Sequence, residues 1–131
     1  YGINNIQPIW ADSFYKTIEK SKMGLNLSQG KPIKYYSSDR ISQLVGNGLL
    51  TFVDEKTQFA DFFNKDELIF YKSITDLSEK ILKYAADDKE RIKIAKKGKH
   101  KYFKYFNSTL IAEYIISQTL NIPTKKFLWE N

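Results

Sequence analysis

Apolar residues along this chain alternate between two periods. Residues 23–27, 49–53 and 68–71 are compact apolar runs of strand length, whereas Phe14, Tyr15 and Ile18, and later Ile41, Leu44 and Val45, recur at helical spacing. The first helix is expected over residues 12–21 with Asp12 as its cap, and a short strand follows over 23–27. That strand ends in a polar loop containing Asn26, Ser28, Gln29, Gly30, Lys31 and Pro32. Ser37 or Ser38 is the expected N-cap of a second helix, with Asp39 in its first turn. Gly46 or Gly48 can take the left-handed conformation that ends it, and residues 49–53 suit a buried parallel strand. Two consecutive strand, loop and helix units imply a parallel sheet with right-handed crossovers.

Beyond Glu55 the pattern weakens, and Phe59, Phe62 and Phe63 fit either a short helix or a packed loop. A third strand over 68–71 leads into a helix start where Ser73 and Asp76 have capping-box spacing, with Ile74, Leu77, Ile81 and Leu82 as its face. Asp87 or Asp88 can cap a further helix carrying Ile92, Ile94, Ala95, Tyr102 and Phe106, in which Gly98 reads as a tolerated weak point. Asn107 or Ser108 caps a last helix through Leu110, Ile111, Tyr114 and Ile115, which stops before Pro123. The expected class is therefore α/β. The chain is one domain over 1–131, with an α/β core at 1–72 and a helical C-terminal flank at 73–123.

Composition narrows the chemistry. The 131 residues include no cysteine, which excludes disulfides, thiolate metal sites and cysteine nucleophiles. The single His100 stands among lysines, where a surface role is expected and a histidine-rich metal site is excluded. The longest apolar runs are too short to span a bilayer, and no signal-peptide pattern is present. The chain opens at Tyr1 without a methionine, which is read as an excised segment of a longer protein. The net charge of +6 comes from lysine, since Arg40 and Arg91 are the only arginines. Its densest cluster is Lys96, Lys97, Lys99, Lys101 and Lys104. At helical spacing these positions wrap around the helix rather than forming one stripe, and three readings stay open: a solvated face, contact with an anionic membrane, and nucleic-acid binding.

Ligands of open α/β sheets bind beyond the carboxyl ends of the strands. The loop after the first strand and the start of the second helix are placed there, and Arg40 and Gln43, three apart, share a helix face near the positive end of its dipole. A phosphate or diphosphate suits that position. Bland alternatives exist for the same residues: Arg40 can pair with Asp39, Asp54 or Glu55, Gln43 can be a plain helix former, and Ser37 and Ser38 can serve only as caps. Tyr35 and Tyr36 can stack on a nucleobase or pack against the first helix.

Five segments in order carry a family resemblance: EKSKMGLNLS with its polar loop, S-x-x-R-x-x-Q at residues 37–43, the glycine pair with LLT, the FY-x-S-x-x-D-L-x-x-K-I helix, and DDKERIKIAKKGKHKYFKYFN. Over residues 15–114 the chain resembles the C-terminal part of group 1-type glycosyltransferases, in particular the group-1-like domain of spore-maturation-type proteins and bacterial glycan-assembly enzymes. The resemblance implies a Rossmann-like, three-layer parallel sheet, the donor-binding half of a GT-B enzyme. It also implies that the chain serves a transferase in which the acceptor site and any general base lie in a preceding N-terminal domain. The fragment alone should bind better than it catalyses.

The family's R-x-x-E segment falls on Arg40 to Gln43, so an amide stands where the family's glutamate holds the donor ribose. The nucleotide-sugar-binding residues implied are Ser28, Lys34, Ser37, Ser38, Arg40 and Gln43. The cap serines would face the diphosphate, and Arg40 with Lys31 or Lys34 would neutralise its charge. Catalytic residues are unassigned. No cofactor or metal is expected, since no Asp-x-Asp motif is present. The implied partners are a nucleotide-sugar donor and the N-terminal acceptor domain, with peripheral contact to an anionic membrane as a further option and no nucleic acid. The expected location is the cytoplasm or the inner membrane face. A non-catalytic domain that has lost donor binding is the rival reading, and a nucleic-acid-binding module the more distant one.

Overall fold

A computed structural model of the chain describes residues 8–28, 30–37 and 39–130. The elements in order are α1 (Ala11–Lys20), β1 (Met23–Asn26), α2 (Arg40–Gly46), β2 (Leu50–Asp54), two 3-10 turns (Glu55–Thr57 and Phe59–Asp61), β3 (Ile69–Tyr71), α3 (Ile74–Ala86), α4 (Asp88–Tyr105) and α5 (Ser108–Leu120). The strands form one parallel sheet in the order β1-β2-β3. The register sets Met23 against Leu50 and Leu25 against Phe52, then Phe52 against Ile69 and Val53 against Phe70.

Strand alternation sorts these side chains into two cores. On one face Leu50, Phe52, Ile69 and Tyr71 meet Leu77, Tyr84, Ile94 and Ala95 of α3 and α4. On the other, Val53 and Phe70 meet Ile41 and Val45 of α2 together with Phe59, Phe63 and Leu68. The result is the Rossmann-like three-layer α/β arrangement, with α3 to α5 as its helical flank.

The caps explain where elements start and stop. The Ser73 hydroxyl accepts from the Asp76 N–H at 3.2 Å, and the Asp76 carboxylate in turn accepts from the Lys72 N–H at 2.9 Å. Asp87 caps α4 through the Glu90 N–H at 2.9 Å, and Asn107 caps α5 through the Leu110 N–H at 3.0 Å. Helix α2 ends in a Schellman turn: Gly48 adopts φ +78°, its N–H donates to Val45 O and the Leu49 N–H donates to Leu44 O, both at 3.0 Å. Leu44 and Leu49 then pack together against Ile18 of α1.

Several expectations need correction. Asp12 sits in the first turn of α1, whose N-cap is Trp10 with no side-chain cap bond. Helix α2 starts at Arg40 with Asp39 as its N-cap, again without a side-chain cap bond, so Ser37 is not a cap; Ser38 lies outside the described residues. On α3, Ile74 and Leu82 are exposed and the buried face is Leu77, Ile81 and Tyr84, because the helix rests on the sheet through its i, i+4, i+7 positions. Ile92 of α4 and Ile111 and Ile115 of α5 are likewise exposed. Gly98 is a packing requirement rather than a weak point: it is buried, and a Cβ there would collide with the Glu67 carbonyl.

That close approach belongs to a larger pattern. Arg91 near the start of α4 donates to Lys22 O (3.4 Å) before β1, the Lys99 stem lies beside Gly48 before β2, and Gly98 abuts Glu67 before β3. Lys101 also pairs with Glu67 at 2.8 Å, an ion pair more sheltered than most on this surface. One helix thus passes the amino end of every strand.

Two alanine substitutions should move stability in opposite directions. Gly98→Ala should destabilise by about 1–3 kcal/mol, because overpacking against backbone outweighs the helix propensity gained. Gly46→Ala, with nothing within 4 Å of the new methyl, should stabilise by up to about 1 kcal/mol. Chemical denaturation of both variants is the check.

Acid should lower the stability of the protein in part through its surface carboxylates. The Lys97 ammonium bonded to Asp66, the Lys80 ammonium bonded to Asp76 and the Arg91 guanidinium bonded to Asp88 each hold the carboxyl below the usual range. A folded-state pKa below the unfolded one stabilises while the carboxylate is ionised, so the contribution is intact above about pH 4 and is lost as pH falls through the lowered values. The thermal midpoint at low salt should stay level from pH 7 to about 5 and fall below about 4, with a shallower acid slope in Asp76→Asn.

Candidate functional site

The carboxyl ends of β1 and β2 open onto the loops where the sequence reading expects a ligand. β1 ends on the buried Asn26, and the chain leaves through Leu27 and Ser28. Arg40, at the first position of α2, reaches back across this exit: its Nη1 donates to Leu27 O at 3.1 Å. The structure thus brings Arg40 and the Ser28 segment together, and none of Asp39, Asp54 or Glu55 forms an ion pair with Arg40 among the described residues. Glu55 lies 4.0 Å from Lys72 instead, and Asp54 accepts from the Lys56 N–H at 2.9 Å.

Lys34 stands elsewhere. Its neighbour Tyr35 takes the left-handed conformation, φ +59°, because the loop is pinned to the turn after β2: the Tyr35 N–H donates to Thr57 O at 2.8 Å and its hydroxyl to Asp61 at 2.6 Å. The Tyr35 ring packs on Phe62 at 4.8 Å, and Lys34 Nζ lies 4.6 Å from its centre. Tyr35 therefore packs against the post-β2 turn and not against the first helix. Gln43 lies half-buried one turn along α2 from Arg40, and its backbone carbonyl accepts from the Asn47 side chain at 2.7 Å. Of the six binding residues expected, Ser28 and Arg40 meet at the β1 exit, Lys34 joins the loop tied to the end of β2, Gln43 follows Arg40 along α2, and Ser38 is outside the described residues.

Ser37 opens onto a feature the sequence did not reveal. Together with Tyr35, Phe62, Tyr102, Phe106 and Trp129 it lines an aromatic cleft of about 450 Å³. Phe106 is the hub, with ring centres 6.1 Å from Phe62, 5.9 Å from Tyr102 and 5.6 Å from Trp129. Burial pushes the Tyr102 phenol pKa up, a hydrogen bond with Ser42 acts against this, and the Asp39 charge adds to it. The sequence signals were the Phe59, Phe62, Phe63 group and the four-residue spacing of Tyr102 and Phe106. What it could not show was that segments forty residues apart close on one another.

Along β3, charges are satisfied internally. Lys80 bonds both Asp76 and Phe70 O at 2.7 Å, which covers a carbonyl of the edge strand. Among the described residues no group of three or more His, Asp or Glu side chains could hold a metal ion, and no helix is long and apolar enough to cross a membrane. The arrangement offers a guanidinium, a hydroxyl and loop backbone at the mouth of a parallel sheet, which suits recognition of a phosphorylated ligand.

The comparisons agree with the fold. No curated protein and no solved structure matches the chain. A family model described as glycosyl transferase-like matches residues 2–117, a longer span than the segments that carry the resemblance in the sequence. With the parallel α/β sheet in place and nearly the whole chain aligned, this protein belongs to the glycosyl transferase-like family.

Proposed function

We propose that this chain forms the donor side of a glycosyl transfer, taking a nucleoside-diphosphate sugar at the carboxyl end of its sheet. The observation that carries this is the Arg40 bond to Leu27 O, which fixes a permanently charged planar group at the exit of β1. One of its five N–H donors holds the carbonyl, so the remaining fork can address phosphate oxygens. In sugar transfer the departing group is a nucleoside diphosphate whose charge grows as the glycosidic bond breaks. Arg40, with the Ser28 hydroxyl as a neutral donor, would stabilise that charge without a metal ion. Gln43 would meet the ribose hydroxyls as donor and acceptor. The acceptor and any general base are assigned to a preceding domain, and the site of action to the cytoplasm, where nucleotide sugars are made.

A second reading has its own support. Gln43 is an amide where the family's pattern has a carboxylate, and Asp39 places a negative charge at the mouth of α2, where a diphosphate would want none. Both features suit an interaction domain that keeps the fold and has lost its donor.

Amide-shift titrations with uridine, guanosine, adenosine and thymidine diphosphates discriminate the readings. The donor site should give shifts concentrated at Ser28 and at residues 34–43 for one nucleotide, and Arg40→Ala should weaken that binding about tenfold or more. Gln43→Glu should strengthen it. Absence of shifts with every nucleotide, in wild type and in Gln43→Glu alike, would overturn a donor site formed by this chain alone and favour the interaction domain or a site completed by the preceding domain.

A further inference from the structure

The lysines of α4 separate into two sets. Lys97 and Lys101 are committed to acidic neighbours, Lys97 to Asp66 at 2.5 Å in an exposed pair and Lys101 to Glu67 at 2.8 Å in a sheltered one. The others share the outward side: at 3.6 residues per turn, Lys89, Lys93, Lys96, Lys99 and Lys104 fall with His100 within about 140° of the circumference. All six are exposed, and this arc contains no Asp or Glu. Lys93 alone among them has an acidic partner among the described residues, Glu90 at 3.2 Å on the helix flank. The apparent wrap of lysines in the sequence thus resolves into a stripe once the two paired members are removed.

Two apolar side chains stand inside that stripe: Ile92 is 44% exposed and Phe103 is 54% exposed, the latter with Lys99 Nζ 5.9 Å from its ring centre. A merely solvated helix face gains nothing from them. We propose that the outer face of α4 is a docking surface for an anionic phospholipid bilayer. Its lysines would engage the headgroups, while Phe103 and Ile92 enter the interface below them. Charge complementarity names the sign of the partner, and the apolar pair names its class. A nucleic-acid duplex would call on the charges and leave Phe103 and Ile92 unused; moreover, the stripe carries lysine throughout and no arginine, the better reader of phosphate backbones.

Vesicle co-sedimentation of the chain tests the proposal, with pure phosphatidylcholine against a mixture about one-third phosphatidylglycerol. Binding should require the anionic lipid and weaken with salt. Lys89→Glu with Lys96→Glu should reduce it at least about twenty-five-fold, at about fivefold per lysine. Lys16→Glu with Lys20→Glu on α1, the same change in net charge outside the stripe, should stay within about threefold of wild type. Phe103→Ser should weaken binding to the anionic vesicles while circular dichroism shows the fold unchanged. Equal binding to both vesicle types, or none to the anionic ones, overturns the proposal. So does tighter binding to a short DNA duplex that is indifferent to Phe103→Ser, which would assign the stripe to nucleic acid.

Discussion

The architecture depends on β2 having neither a free edge nor a free face. Its neighbours β1 and β3 both run parallel to it, so each connection must cross from one end of the sheet to the other, and helices have to occupy the layers above and below. Leu50, Thr51, Phe52 and Val53 are all at most 1% exposed, which means that both layers close tightly over the strand. From this constraint follow the two separate cores, the Schellman turn that brings the chain sharply from α2 into β2, and the fact that the strand's carboxyl end is the place where it meets open loops. A charged substitution anywhere in these four positions would be felt on whichever face it entered.

How far this was legible depended on the range of the interaction involved. The three strands, the five helices and the caps at Ser73, Asp87 and Asn107 are written in short spacings, and the structure places them where the pattern does. Asp12, Ser37 and the face of α3 were misjudged because a capping residue type or an apolar residue states a capacity, whereas the packing angle of the element decides which capacity is used. Ile74 is apolar and stays in water since α3 leans on the sheet through Leu77 and Tyr84. Gly98 shows the same limit: its local cost is visible in the sequence, and the Glu67 carbonyl that requires it is thirty-one positions away.

The candidate site divides along the same line. Arg40 and Ser28 could be brought together from the order of strand, loop and helix alone, because a parallel sheet returns each loop to the same edge. Lys34 could not be placed, since the left-handed Tyr35 and its bonds to Thr57 and Asp61 redirect the loop toward the end of β2. The aromatic cleft draws its walls from the loop before α2, α2 itself, the turn after β2, the end of α4, α5 and the C-terminal segment. No periodicity in one element announces a surface assembled from six.

The course of α4 past Lys22, Gly48 and Glu67 also bears on the order in which the chain can fold. The sheet's three strands are complete by Tyr71, yet the helix that meets all their starts begins only at Asp88. Contacts at that sequence separation close late, so during synthesis the strands must wait, partly uncovered, until the lysine-rich helix emerges. The arrival of α4 is therefore the event that ties the starts of all three strands together.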